Sequence, residues 1–271
     1  MKIFSPAISR LARLRYWRIE LWVKDPVAAQ REVLQDLITH GQYTQIGRKY
    51  QFSTIFTIRK FKELVPIQSY EDLKPYIDEV MQGEADVLWN TPIQWFAKSS
   101  GTTSDKSKFI PLSQESIEDN HFQGSKDVLG IYYNALPESD LLTGKMLVIG
   151  GSHQVHPIKD DIQYGDLSAV LLQNSPIWSG LVRVPELSIA LMDEWESKIE
   201  MLAQSTIQEP VTSIAGVPTW TMVLLKEFYK SLVKKPLKKF GQILNYTFMV
   251  AFHLHPIAQN LKRSLAGIVI I

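Results

Sequence analysis

A short segment of the chain combines small hydroxyl side chains, one glycine and two lysines. Residues 95–113 read W-F-A-K-S-S-G-T-T-S-D-K-S-K-F-I-P-L-S, and the hydroxyl side chains are concentrated between Ser99 and Ser104. Lys106 and Lys108 follow at once. Backbone N–H groups of a glycine turn, hydroxyl donors and lysine cations are groups that bind phosphate oxygens. The segment therefore predicts a loop that binds the phosphates of a nucleotide.

This loop differs from the Walker A loop, whose pattern is G-x-x-x-x-G-K-[ST]. Gly101 is followed five residues later by Lys106, and no second glycine lies between them. The pattern therefore argues against a P-loop kinase or GTPase. A flexible Ser/Thr-rich surface turn is the alternative interpretation. The aromatic residues before the loop and the K-x-K-F-I-P sequence after it favour an ordered loop instead.

The elements around the loop alternate between helix and strand. Helices are predicted at 6–23 and 26–40 and at a capped segment starting at Ser69, and a short strand at 93–96 leads into the loop. The elements predicted after the loop are a long helix at 113–133, a strand at 145–149, a helix at 187–203, a strand at 211–215 and a helix at 219–232. This alternation indicates an α/β fold.

Composition restricts the function classes. The chain has 271 residues, no cysteine and a net charge of +1. Without cysteine, disulfides and thiolate metal sites are excluded. The net charge is too small to attract nucleic acid or a membrane surface electrostatically. We expect a cytoplasmic protein with neither partner. The arginine-rich start, with Arg10, Arg13, Arg15 and Arg18, is typical of a transit peptide or a membrane-surface helix, but a partly buried first helix is the favoured interpretation.

The loop resembles the S-S-G-T-T…K phosphate loop of adenylate-forming enzymes. Its full form, F-A-K-S-S-G-T-T-S-D-K-S-K-F-I-P, is similar to bacterial members of the auxin-responsive (Gretchen Hagen) acyl-acid amido synthetase family. G-G-S-H-Q at 150–154 and G-V-P-T-W at 216–220 also resemble family segments, in the expected order. The resemblance covers roughly residues 5–240. The usual adenylation loop has a glycine and a proline where Ser104-Asp105 and Ser107 stand here, which separates this family from acyl-CoA synthetases.

The resemblance implies an α/β fold that is the N-terminal part of a large adenylate-forming domain, incomplete and without a small C-terminal domain. It implies ATP and Mg²⁺ as cofactors, and a carboxylic acid and an amino acid as partners: the acid is activated as an acyl-adenylate and then joined to the amine. No catalytic residue and no metal ligand is assigned. By position, the nucleotide-binding residues would be Ser99, Ser100, Gly101, Thr102, Thr103, Lys106 and Lys108, and the acyl-pocket residues would be Val217, Pro218 and Trp220. The alternative for Val217 and Trp220 is that they are hydrophobic core residues.

The last part of the chain departs from the family. All 28 acidic residues precede position 241, and the family's later nucleotide motifs, including a Y-x-A-S-E-like segment, are not found. Back-translation from Gly241, with the bases regrouped one nucleotide earlier, permits W-P-N-L-E-L-Y-x-H-G-G-V-S-F-T-P-Y-R, which resembles what the family carries there. We therefore expect a frameshift between Pro236 and Gly241. Residues 1–240 would be the N-terminal portion of the adenylation domain and 241–271 an out-of-frame tail with no native fold.

Two further patterns in the sequence have the residue types of catalytic sites. His153-x-x-His156 has metal-ligand types, but no third ligand is obvious and catalytic zinc needs three, so a solvated loop is favoured. Gly150-Gly151-Ser152 lacks the G-x-S-x-G elbow of serine hydrolases. The sequence thus predicts an ATP-dependent acyl-acid amide synthetase of which this chain is an inactive fragment. The alternative is a non-catalytic remnant that binds a nucleotide or an acyl group.

Overall fold

The computed structural model describes residues 5–99, 107–150, 155–206, 208–216 and 221–227. Residues 221–227 are helical, Phe52–Thr54 form a 3₁₀ turn, and a π-helical segment, Ser116–Phe122, directly precedes the sixth helix. The α-helices are α1 Ser5–Lys24, α2 Pro26–Gly41, α3 Gln45–Lys49, α4 Ile58–Leu64, α5 Tyr70–Met81, α6 Gln123–Ala135, α7 Leu167–Gln173, α8 Ser179–Val182, α9 Leu187–Ala190 and α10 Trp195–Thr206. The strands are β1 Trp95–Lys98, β2 Phe109–Leu112, β3 Lys145–Ile149, β4 His156–Lys159, β5 Ile162–Gly165, β6 Arg183–Val184 and β7 Val211–Gly216.

The chain divides into two compact units, and each contains one sheet. The loop-bearing unit consists of Ala12–Ile131 and Val155–Leu171. The parallel-sheet unit consists of Met1–Leu11, Tyr132–Gln154 and Leu172–Ile271. The two candidate segments of the sequence, the phosphate loop and the later G-V-P-T-W turn, therefore belong to different units.

The sheet of the loop-bearing unit has the strand order β2-β1-β5-β4. β1 runs parallel to β5 and antiparallel to β2, and β4 runs antiparallel to β5. Both edge strands contain a proline, Pro111 in β2 and Pro157 in β4. Because proline has no N–H group to donate, it is tolerated at sheet edges and excluded from sheet centres. The prolines are therefore consistent with the outer positions of both strands.

Helices cover both faces of this sheet. Phe96 and Ala97 are adjacent in β1 and point to opposite faces, as successive residues of a strand do. Phe96 is fully buried in a cluster with Ile77 and Val80 of α5. Ala97 packs on the other side in a cluster that includes Ile117 of the π-helical segment and Val170 of α7. The strand that leads into the loop is thus fixed from both sides.

The sheet of the parallel-sheet unit has the order β6-β3-β7, and both pairs of strands are parallel. Its core contains Leu147 and Ile149 of β3 together with Ile199 and Leu202 of α10. Leu224, in the helical residues 221–227, belongs to the same cluster. Parallel strands buried against helices are the α/β arrangement that the alternation of elements predicts.

Local signals in the sequence define several elements correctly. Lys145–Ile149 is a strand as predicted, and α5 begins after Ser69. The Ser69 hydroxyl accepts a hydrogen bond from the Asp72 N–H, and the Asp72 carboxylate accepts one from the Ser69 N–H, at 3.3 and 2.8 Å. This capping box satisfies two N–H groups that a helix start otherwise leaves without partners.

The prediction of one helix at 187–203 was wrong. The structure has two helices there, α9 and α10, separated by residues 191–194. The Glu194 carboxylate accepts hydrogen bonds from the N–H groups of Glu196 and Ser197, at 3.0 and 2.6 Å. Because a side-chain acceptor at this position caps a new helix start, the segment breaks before Trp195.

Candidate functional site

The predicted phosphate loop is carried by a hairpin of the loop-bearing unit. β1 and β2 pair in the register Trp95↔Leu112 to Lys98↔Phe109. The hairpin closes at Ser99 and Lys108, since the Ser99 N–H donates to the Lys108 carbonyl at 2.9 Å and the Lys108 N–H donates to the Ser99 hydroxyl at 3.2 Å. Ser99 and Lys108 therefore form the base of the loop. Of the predicted nucleotide-binding residues, Ser100, Gly101, Thr102, Thr103 and Lys106 lie outside the described residues.

The loop begins at the carboxyl end of two parallel strands. β1 and β5 pair with Ala97 opposite Gly165, so both strands end at the same edge of the sheet. Asp166 follows β5, and its carboxylate accepts a hydrogen bond from the Ala169 N–H at 2.8 Å at the start of α7. In open α/β sheets, ligands bind beyond the carboxyl ends of the strands. The hairpin thus places the predicted loop where such folds bind their ligands.

Two lysines at the base of the loop lie against aromatic rings. The Lys98 ammonium is 5.6 Å from the centre of the Tyr164 ring, and the Lys108 ammonium is 5.4 Å from that of Tyr70. Phe109 contacts Tyr164 edge to face, with ring centres 5.3 Å apart. Cations over aromatic faces are attracted by the ring quadrupole, which also restricts where the ammonium groups lie. The base of the loop is therefore positively charged and held by aromatic side chains.

A second edge with candidate residues belongs to the parallel-sheet unit. β3 and β7 are adjacent and end together, with Ile149 opposite Gly216. A β-carbon added to Gly216 would lie 2.8 Å from the β-carbon of Ile149, so glycine permits this close approach of the strands. The G-G-S-H-Q and G-V-P-T-W segments thus leave the sheet at the same edge. Of the second segment, the predicted acyl-pocket residues Val217, Pro218 and Trp220 lie outside the described residues.

Lys198 is a residue at this edge that the sequence analysis missed. It belongs to α10 and is fully buried, and its ammonium donates to the Gly150 carbonyl at 3.3 Å, directly after β3. Its neighbours Ile199 and Leu202 face the core. The available signal of its burial was its helical spacing with these apolar residues. Because lysine is rarely buried without a partner, such a position indicates a specific contact of the ammonium group. Lys198 connects α10 to the start of the G-G-S-H-Q segment.

A carboxylate in the segment after β2, that of Glu115, receives several hydrogen bonds. Glu115 accepts one from the Trp89 indole N–H at 3.3 Å and one from the Thr91 hydroxyl at 3.1 Å. Burial acts to raise the pKa of Glu115, but hydrogen bonds from its own backbone N–H and from Ser113, Thr91 and Trp89 outweigh burial and hold its pKa below the usual 4.5. The Trp89 ring in turn stacks on His40. Glu115 therefore fastens the segment after the hairpin to residues 89–91.

This carboxylate gives a testable pH dependence. A folded-state pKa below the unfolded value means that the folded protein binds fewer protons, so the stabilisation is complete above pH 4.5 and is lost as the pH falls through the folded value. We expect Glu115→Gln to lower the free energy of unfolding at pH 7. We also expect it to flatten the loss of stability between about pH 6 and pH 3.

Urea unfolding at a series of pH values measures this effect. Glu118→Gln is the matched control, because Glu118 is exposed in the same helical segment and accepts a hydrogen bond from the Gln114 side chain. The idea fails if both variants follow the same curve of stability against pH.

The structure also describes one histidine of the H-x-x-H pair and the exposure of the first helix. His156 lies against Tyr164 with 5.2 Å between ring centres and the rings tilted by 33°, while His153 lies outside the described residues. Within the described ranges, no group of three or more His, Asp or Glu residues is arranged to hold a metal ion.

None of the helices described is long and apolar enough to cross a membrane. α1 is more exposed than predicted: Leu14 and Trp17 are 65% and 61% accessible.

Comparison with known proteins identifies the family that this chain resembles. The sequence model of the GH3 family N-terminal domain matches residues 15–228. The chain is 31% identical over 101 residues to the indole-3-acetic acid-amido synthetase GH3.2 of Arabidopsis thaliana, which covers 37% of this chain and 18% of that protein. It is 32% identical over 100 residues to the jasmonoyl–L-amino acid synthetase JAR4 of Nicotiana attenuata, which covers 36% of this chain and 17% of that protein. The matched part is thus less than a fifth of either relative's length.

The fold agrees as well. The structure is similar to that of the GH3.15 acyl acid amido synthetase, with a TM-score of 0.66 and 19% identity. The similarity covers 80% of this chain and 38% of that chain, which confirms the predicted α/β fold as the N-terminal part of that larger fold. Since the family model also matches most of the sequence, the chain belongs to the GH3 family of acyl-acid amido synthetases.

Proposed function

We propose that this chain is the N-terminal part of the adenylation domain of an ATP-dependent acyl-acid amide synthetase. In the first step, a carboxylate oxygen attacks the α-phosphate of ATP, pyrophosphate leaves and an acyl-adenylate forms. In the second step, the amine of an amino acid attacks the acyl carbon, AMP leaves and the amine loses a proton. Residues at positions 99–103, 106 and 108 would bind the phosphates, and Val217, Pro218 and Trp220 would line the acyl pocket.

The hairpin carries this proposal. Ser99 and Lys108 close a Ser/Thr/Gly loop at the carboxyl ends of β1 and β5, and Lys106 lies within that loop in the sequence. Donors and cations held before the reaction stabilise charge that develops on a departing pyrophosphate, without having to reorganise when it forms. Positioning and charge stabilisation are therefore what this part of the protein would contribute.

We infer that the loop binds ATP and that Mg²⁺ enters with the nucleotide. The Ser99 hydroxyl and the Lys108 ammonium at the loop base are donor types that bind phosphate oxygens, while the Ser99 and Lys108 N–H groups close the hairpin. Mg²⁺ keeps several water ligands and often binds through substrate phosphates with few carboxylates. The lack of a three-residue acidic or histidine cluster in the described part of the chain is compatible with this mode of binding. When bound, Mg²⁺ would neutralise charge on the phosphate oxygens.

The substrate classes follow from the family. The names of both relatives combine an organic acid with an amide or an amino acid, so we propose a small carboxylic acid and an amino acid as the substrates of the whole enzyme. From the form of the loop we further infer a bacterial-type member. The absence of cysteine supports a place in the cytoplasm, and the near-neutral charge supports a protein with neither nucleic acid nor a membrane as partner.

We infer that this 271-residue chain is inactive, because a frameshift near Phe240 replaces the later nucleotide motifs with residues 241–271. The protein encoded by the regrouped bases after Phe240 is called the frame-restored protein below. A remnant that binds a nucleotide or an acyl group without catalysis is the second candidate. Resequencing the gene across codons 236–241 in independent clones tests the frameshift itself.

ATP–pyrophosphate exchange distinguishes the two candidates. We expect exchange that depends on an added carboxylic acid in the frame-restored protein, and none in the 271-residue chain. Panels of aromatic and aliphatic acids serve as probes. Nucleotide binding without exchange in the frame-restored protein would support the remnant. Exchange in the 271-residue chain would show that the later motifs are dispensable and that the inferred inactivity is wrong.

A further inference from the structure

Tyr70 has a hydroxyl at the outgoing end of the predicted phosphate loop. It is the first residue of α5, immediately after the capping residue Ser69. Its hydroxyl accepts a hydrogen bond from the Phe109 N–H at 3.0 Å and donates to the Phe109 carbonyl at 3.5 Å. Phe109 directly follows Lys108, one of the two residues that close the loop. A single side chain therefore meets both backbone groups of the first residue after the loop.

The topology explains why such a contact matters. β2 is an edge strand, and in an antiparallel pair every second residue directs its N–H and C=O away from the neighbouring strand. These outward groups at a sheet edge have no strand to bind. The Tyr70 hydroxyl occupies the place of that missing strand at Phe109. It thereby restrains the outgoing end of the loop, while Ser99 is restrained through β1.

The Tyr70 ring has a second contact at the same end. The Lys108 ammonium lies 5.4 Å from the ring centre, so the ring restricts the position of a lysine that is predicted to bind phosphate. Tyr70 itself packs against the cluster of Phe96 and Ile77, which fixes the ring. At the outgoing end of the loop, α5 therefore restrains both the backbone and the lysine ammonium. The start of α5 is itself fixed by its capping box.

We propose that Tyr70 is a positioning residue of the phosphate loop: its hydroxyl fixes the backbone at Phe109, and its ring places the Lys108 ammonium. This inference rests on the proposed function, because it takes the loop to bind the phosphates of ATP. Tyr70 acts through the loop and does not itself touch the reacting atoms.

The control for this role is Tyr76, on the same helix. Tyr76 packs against the same cluster, but its hydroxyl accepts a hydrogen bond from the Lys49 ammonium at 2.8 Å, away from the loop. Tyr70→Phe and Tyr76→Phe each remove one hydroxyl and keep the ring. Since both rings stay packed against the cluster, neither substitution creates a cavity, and both variants are expected to fold.

The first measurement is hydrogen exchange in the 271-residue chain, which needs no nucleotide. Loss of one hydrogen bond to the Phe109 N–H is expected to raise the exchange rate of that amide about five-fold in Tyr70→Phe. Tyr76→Phe should leave it unchanged. Equal exchange of the Phe109 amide in wild type and Tyr70→Phe overturns the proposal, whatever the nucleotide does.

The second measurement is the KM for ATP in the exchange reaction of the frame-restored protein. Tyr70→Phe should raise this KM about five-fold and leave the KM for the carboxylic acid unchanged, whereas general damage to the fold would alter both. An unaltered KM for ATP overturns the positioning role. If wild type supports no exchange while Tyr70→Phe still loosens the Phe109 amide, the contact of Tyr70 with the loop stands and the proposed function fails.

Discussion

Replacing Lys106 by methionine is expected to lower carboxylate-dependent ATP–pyrophosphate exchange of the frame-restored protein by about 10²–10³-fold. The loop is closed at Ser99 and Lys108, and Lys106 lies between them in sequence. A cation there would stabilise the charge on pyrophosphate as it leaves, and methionine keeps the apolar stem of lysine while removing that charge. The lost interaction strengthens in the transition state, so the loss should fall mainly on kcat.

Two other lysines of the hairpin serve as graded controls. Lys98 is exposed and its ammonium lies over Tyr164, outside the loop, so Lys98→Met should change exchange by less than about three-fold. Lys108 closes the loop, but its ammonium lies over Tyr70, so Lys108→Met is expected to have an intermediate effect. The order of effects, Lys106 above Lys108 above Lys98, separates a specific phosphate site from a merely basic surface. Equal effects at all three positions would contradict the proposed site.

How far the sequence predicts this architecture depends on the range of the interactions involved. The capping box at Ser69 and the strand at 145–149 are encoded within a few residues, and both were predicted correctly. The strand before the loop was predicted at 93–96 and is observed as Trp95–Lys98. Its end is set by pairing of Lys98 with Phe109 across the loop, which no local pattern specifies.

Long-range pairing also explains the elements that were missed. β5 has four residues, Ile162–Gly165, and no clear alternation of polar and apolar side chains. It pairs with β4 across the short turn at Asp160 and Asp161, and with β1 on its other side, where Tyr164 lies opposite Phe96. The partner β1 is distant in sequence and leaves no periodic signal near residue 164. The position of β5 beside β1 is therefore visible only in the assembled sheet.

The candidate site follows the same rule. The residue types of the loop predict phosphate chemistry from one segment, and that stays a prediction. The support of the loop was not predictable, because Tyr70 and Phe109 are 39 positions apart and contact each other through a side chain and a backbone. For Lys198, helical spacing with apolar residues gives a local signal of burial, but its partner Gly150 lies 48 positions away and could not be predicted.

Gly47→Ala is expected to destabilise the loop-bearing unit by ~3 kcal/mol. A β-carbon at this position would lie 1.9 Å from the Gly41 carbonyl oxygen, far inside van der Waals contact. That oxygen cannot move freely, because it already accepts hydrogen bonds from the Thr44 N–H at 3.1 Å and the Thr44 hydroxyl at 2.7 Å. The Thr44 hydroxyl also accepts one from the Gly47 N–H at 3.0 Å. The added β-carbon would therefore clash with the Gly41 carbonyl, whose position the buried Thr44 fixes relative to Gly47.

The effect should reach the strand that carries the loop. α3 is bound to the segment that follows α5. The Gln45 and Ile46 N–H groups donate hydrogen bonds to the Asp86 and Val87 carbonyls, at 2.7 and 3.2 Å. Val87 is 1% exposed and belongs to the cluster around Phe96 of β1. A displaced α3 would thus loosen the packing beneath the hairpin. Urea unfolding followed by tryptophan fluorescence measures the change in the free energy of unfolding.

Gly124→Ala is the matched control for this substitution. Gly124 lies in α6, and a β-carbon there would meet nothing within 4 Å. Alanine is the better helix former, so this variant should be stabilised by up to about 1 kcal/mol. The two variants add the same methyl group to the same residue type in helices, and only the distance to a neighbouring backbone differs. If Gly47→Ala matched Gly124→Ala in stability, the corner between α2 and α3 would have to yield, and the fixed support inferred for β1 would be wrong.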